Sequence, residues 1–141
     1  MRDRGVSTVV TWSLTLLITT ILVAGLVVAT GGQIEDRASS VTETELEVVG
    51  QQVAADIQIA DRLARGGDTV VVRTSLPDRT AVGGYRVAVR TSGTAVSVVL
   101  ESGDVSVSVP VANRTAVRES SVTGGDLRVV LDDGALEVRA Q

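Results

Sequence analysis

From Val6 to Thr30 the chain carries no charged residue, and beyond that run its polar and apolar positions repeat with two successive periods. An uncharged stretch of this length exceeds the roughly 20 residues that a helix needs to cross a bilayer. Past Gly31-Gly32, the residues Ile34, Ala38, Val41, Leu46, Val49, Val53, Ile57, Ala60 and Leu63 recur near the helical repeat. Glu43, Glu47, Gln51, Asp61, Arg62 and Arg65 fall on the other face, so the segment reads as an amphipathic helix. Gly31-Gly32 is a place for a kink or break, and Ser40 with Glu43 has the spacing of a capping box for a fresh start. The equal alternative is one uninterrupted helix from Val6 to Arg65, which would be roughly 90 Å long. Gly66-Gly67 stops it in either case.

From Asp68 the period shortens to two, the repeat of a strand with one buried face. Thr69–Leu76 is the first strand candidate, closed by Pro77-Asp78. Tyr85, Val87 and Val89 alternate with Arg86, Ala88 and Arg90; Val96, Val98 and Leu100 follow the Ser92-Gly93 turn. Val105, Val107, Val109 and Val111 come after Ser102-Gly103-Asp104. Leu127, Val129 and Leu131 then face Leu136 and Val138 across Asp133-Gly134, the strongest hairpin signal in the chain. Short connections and one apolar face per strand predict an antiparallel meander, with the amphipathic stripe as its cover.

The expected fold class is therefore α+β: a long N-terminal helix, transmembrane and then amphipathic, followed by a small antiparallel β domain packed on it. The expected divisions are a charged leader at 1–5, a transmembrane helix at 6–32, an amphipathic helix at 33–66 and the β domain at 67–141. Beyond the membrane run 109 residues remain (33–141), a usual size for one compact domain.

Charge orients the anchor. Arg2 and Arg4 against Asp3 precede the apolar run, whereas Glu35-Asp36-Arg37 follow it. The cationic excess places the N-terminus in the cytoplasm and the β domain outside the cell membrane. A cleaved secretory signal is the competing reading, but its apolar core would span only about 7–15 residues. Ala24 and Ala29 also make no clear A-x-A site.

Thr8, Thr11, Thr15 and Thr19 recur at spacings of three and four, and Gly25 with Ala29 forms a small-xxx-small pair. Small and hydroxylated residues on one face of a membrane helix favour close helix–helix contact. The bland reading is that each Thr bonds back to its own helix. The four-residue stripe favours a packing face.

Composition removes many activities. The 141 residues hold neither Cys nor His, and all 13 basic residues are Arg. The commonest general base, the commonest metal ligand and every thiol chemistry are thus missing. Asp132-Asp133 sits in a tight turn, where Asp suits the backbone. Glu43, Glu45 and Glu47 alternate in direction and read as a solvated face. The Gly-Gly pairs mark element boundaries, and none belongs to a phosphate-cradling loop. We therefore expect no enzyme, no cofactor, no metal site and no small-molecule substrate. Beyond residue 32 there are 11 Arg against 16 acids, about −5, with one Tyr and no Trp or Phe. This disfavours nucleic acid. Asn113-Arg114-Thr115 is an N-glycosylation sequon in an expected loop, with use and disuse both open.

Acidic, Lys-free and rich in Val, Ala, Thr and Gly, the chain resembles proteins of halophilic archaea in composition. Its start, Arg4-Gly5-Val6-Ser7, resembles the leader of archaeal type IV pilin-like proteins: a charged residue, Gly, then an apolar and a small residue. The resemblance implies cleavage by a membrane prepilin peptidase between Gly5 and Val6. It also implies that the mature helix packs with copies of itself or with other pilin-like subunits. A long helix followed by an antiparallel sheet is likewise pilin-like. The remainder, including Val49–Ile57 and Ala60–Ala64, is similar to uncharacterised haloarchaeal membrane proteins.

Two functions are expected from these observations. The first is a pilin-like structural subunit of a type IV pilus-like surface assembly. The second is a single-pass, membrane-tethered β domain that keeps its leader and binds a partner at the cell envelope.

Overall fold

The computed structural model describes residues 2–141, with side chains described for 8–29 and from Asp36 onward. One α-helix, α1 (Arg2–Ala64), precedes eight strands. These are β1 (Val71–Thr74), β2 (Arg86–Ser92), β3 (Ala95–Ser102), β4 (Val105–Val111), β5 (Ala116–Val117), β6 (Ser120–Thr123), β7 (Leu127–Asp132) and β8 (Ala135–Ala140). The chain divides into two compact units, one up to Arg37 and the other Ala38–Gln141.

The first unit is helical throughout its described backbone. Within it, Thr8–Ala29 has a mean hydropathy of 2.2 and none of its side chains is buried. Gly31-Gly32 does not end the helix, and no new start occurs at Ser40. Glycine lowers helix stability by about 1 kcal/mol relative to Ala but does not forbid the helical backbone.

The second unit combines the rest of α1 with two four-stranded sheets, ordered β1-β7-β8-β5 and β4-β3-β2-β6. The expected single meander is corrected here. β2, β3 and β4 do form one, and β7 and β8 form a hairpin, but the hairpin joins β1 in a separate sheet. The short strands β5 and β6 add an outer edge to each sheet, and β5 pairs parallel to β8. Neither strand is long enough to leave an alternating pattern.

The hairpin turns follow local chemistry. Gly93 and Gly103 have φ of 61° and 57° at the first turn position of their hairpins. At the β7–β8 turn both Asp133 (φ 48°) and Gly134 (φ 76°) are left-handed, the type I′ geometry whose twist matches the flanking strands.

One continuous core joins the helix to both sheets. From α1 it takes Leu46, Val49, Val53, Ala54, Ile57 and Ala60; from the strands it takes residues such as Val87, Val98, Leu100, Val129, Leu136 and Val138. Each large side chain withdrawn from water stabilises the unit by about 1.5–3 kcal/mol. Leu46, Val49, Val53, Ile57 and Ala60 of the expected helical stripe are buried, and the stripe differs at its ends. Val41 and Leu63 are half exposed, whereas Thr42 and Asp61 are buried. Gly50 lets the helix approach the sheet closely, since a Cβ there would lie 2.7 Å from Leu100 Cδ1 and 2.8 Å from Val109 Cγ2. Gly66 N–H donates to Leu63 O at 3.0 Å as the helix ends.

Candidate functional site

The residues singled out in the sequence lie in three places. Arg4, Gly5, Val6 and Ser7 fall in the first turns of α1, with side chains outside those described. The threonine stripe lies on the exposed apolar segment. There Thr15 Oγ1 donates to Thr11 O at 2.9 Å, and Thr19 Oγ1 donates to Thr15 O at 2.8 Å. Thr20, which the stripe did not include, donates to Leu16 O in the same way. Back-bonding thus satisfies the hydroxyls of Thr15 and Thr19 within the helix, as lipid requires. What they present outward is small, methyl-bearing surface. Nothing lies within 4 Å of a Cβ built on Gly25, and Ala29 is exposed. Trp12 is 69% exposed on the same segment.

Asn113 lies in the loop between β4 and β5, which is fastened to the end of the helix. Its Nδ2 donates to Thr115 O at 2.8 Å. The backbone N–H groups of Arg114 and Thr115 donate to Asp61 Oδ1 at 3.0 and 2.6 Å. Arg65 closes the arrangement, with Nη2 3.4 Å from Asp61 Oδ2 and Nε donating to Asp61 O. Asp61 is only 4% exposed, so its assignment to the solvent face of the helix is corrected. Burial pushes its carboxyl pKa up. The N–H groups of Thr115 and Arg114, the Thr115 hydroxyl and the Arg65 charge outweigh this and hold it below the ordinary 3.8. Sequence periodicity alone missed Asp61 because its partners lie more than 50 residues away.

Elsewhere carboxylates serve structure. Glu45, expected on a solvated face, accepts the Ala81 N–H at 2.8 Å and so steadies the loop before β2. Asp56 accepts the Thr74 hydroxyl. At the β7–β8 hairpin Arg139 Nη2 donates to Asp132 and Glu137, both at 2.7 Å, and Arg118 lies within 4 Å of Asp132, Asp133 and Glu137. The Arg139 hydrogen bonds hold the Glu137 carboxyl below its usual range. Among the described residues no three acidic side chains gather as metal ligands.

Several clefts open on the second unit, and two of them flank α1. One, of about 610 Å³, runs along exposed Val41 and Val48 of α1 beside Pro77 and Arg79. The other, of about 280 Å³, lies beside Asp61 and is lined by Gln58, Arg62, Arg65, Asn113 and Arg114.

Fold and site together define an α+β protein with an N-terminal helix long and apolar enough to span a membrane and a small, mainly antiparallel β unit. The chain belongs to a family of unknown function, DUF7266, whose model matches residues 1–141. No curated protein and no solved structure matches it.

Proposed function

We propose that this chain is a pilin-like structural subunit of a surface assembly, anchored by its N-terminal helix with the β unit outside the cell. The observation that carries the reading is the division of labour along α1. Thr8–Ala29 is wholly exposed and apolar, whereas the part beyond Ala38 is built into the core of the β unit. One element thus offers a lipid- or helix-facing surface at one end and a folded, exportable head at the other. The leader pattern Arg4-Gly5-Val6-Ser7 supports processing after Gly5 by a prepilin peptidase. Gly25 and Ala29 supply a place for close approach of a second helix.

The test is the intact mass and N-terminal sequence of the protein isolated from its native membranes. A mature chain beginning at Val6 is expected, and Gly5→Leu should accumulate the unprocessed form. A wild-type chain that retains Met1 or Arg2 where the peptidase is active would sink the proposal. It would leave the membrane-tethered binding domain in its place.

A further inference from the structure

The geometry points to the cleft beside Asp61 as a binding site for an oxyanion group, a sulfate, phosphate or carboxylate, held by Arg62, Arg65 and Arg114. The inference stands apart from the assembly reading and uses no residue of the membrane segment.

The cleft is unusual in this protein for its sign. The chain carries a net charge of −4, yet the residues lining this cleft include three Arg and one acid, Asp61. That acid is already occupied: it is buried, and it accepts from two backbone N–H groups and faces Arg65. The remaining cationic surface has no equal and opposite partner among the lining residues.

Position is organised as well as charge. Asp61 grips the backbone of Arg114 and Thr115, and Asn113 Nδ2 locks the same loop by donating to Thr115 O. The loop carrying Arg114 is thereby fixed across the last turns of α1, which carry Arg62 and Arg65. Arg65 is itself anchored through Nε and one Nη. A guanidinium has five N–H donors, so this anchoring leaves donors for a second acceptor.

Helix electrostatics explains part of the cluster. Arg62 and Arg65 lie near the C-terminal, negative pole of α1, where cations are favoured. Arg114 comes from the loop and owes nothing to that pole. It lines the same cleft as Arg62 and Arg65, so an anion seated there would be attracted to three cationic side chains at once. Planar guanidinium forks match the oxygens of sulfate, phosphate and carboxylate, often two bonds at a time. A volume of about 280 Å³ admits such a group, either as a free ion or borne on a larger chain.

The experiment uses the full chain in detergent micelles. Inorganic sulfate is titrated against chloride at matched ionic strength while the Arg Nε–Hε resonances are followed by NMR. Saturable shifts confined to Arg62, Arg65 and Arg114 are expected. Phosphate and acetate are run in parallel to rank the oxyanions. Dextran sulfate is compared at equal sulfate concentration. A much lower half-saturation for the polymer identifies a chain-borne group, and equal values identify the free ion.

Arg114→Gln keeps the backbone N–H that Asp61 holds, so the loop stays in place, and affinity should fall roughly tenfold. Arg86→Gln, on β2, should bind as wild type. Shifts that rise linearly without saturation for every anion would overturn the inference. So would equal affinities for wild type and Arg114→Gln with both proteins folded.

Discussion

At the scale of single residues, Asp61 departs most from its sequence context. A carboxylate with 4% exposure would be destabilising if unpaired, yet two backbone N–H groups and Arg65 satisfy it. Asp61→Ala strands those N–H groups and is expected to lower stability by about 1–3 kcal/mol in chemical denaturation. The pH dependence follows from its lowered pKa. The unfolded carboxyl titrates near 3.8 and the folded one lower, so the charged form's contribution is complete well above 3.8 and is lost as pH falls through the folded value. Asp61→Asn carries no such charge at any pH. The stability gap between wild type and Asp61→Asn should be full at pH 7 and shrink below about 3.8. A gap unchanged between pH 7 and pH 3 would show that the charge of Asp61 contributes nothing. The turn residues needed no such long-range context: Asp133-Gly134 marked a hairpin in the sequence, and both residues take the left-handed backbone that the turn demands.

At the scale of elements, the buried stripe of the helix was legible from Leu46 to Ala60, but its two ends were not. Ile57 and Leu63 belong to one stripe in the sequence, whereas in the fold Ile57 is fully buried and Leu63 is 52% exposed. Ile57→Ala is therefore expected to cost about 2–4 kcal/mol, and Leu63→Ala less than about 0.5 kcal/mol. Comparable losses at the two positions in urea denaturation would place the stripe where the sequence alone put it. Gly50 removes a side chain from the contact line and lets the helix approach Leu100 and Val109 closely. At the N-terminal end of the stripe Thr42 is buried and Val41 is half exposed. Among strands, long alternating runs announced themselves. β5 and β6, with two and four residues, are strands only because an edge of β8 and an edge of β2 receive them.

For the whole molecule, the issue is whether copies meet through the apolar end of α1. Thr15 and Thr19 direct their hydroxyls to their own helix, so under the proposed assembly Gly25 and Ala29 are the places for a close helix contact. A Cβ added at Gly25 meets nothing within 4 Å, so Gly25→Leu is a mild change within one chain. The β unit should keep its circular dichroism spectrum and unfolding midpoint. Self-association in lipid bilayers, read by energy transfer between labelled copies, is expected to weaken roughly five- to tenfold. Unchanged transfer would remove Gly25 from any helix contact.

The sequence by itself determined what neighbours along the chain control. An uncharged run marks a helix suited to lipid, spacing near 3.6 marks its amphipathic continuation, and alternation with Gly-bearing turns marks hairpins. These are local because backbone dihedrals and side-chain periodicity are settled within a few residues. The rest came with the fold: the split into two sheets, the parallel β5–β8 pair, the ends of the buried stripe on α1 and the fate of Asp61. Each depends on which groups arrive from far along the chain. The N–H donors of Arg114 and Thr115, 53 and 54 residues beyond Asp61, turn a position that reads as solvent-facing into a buried anchor.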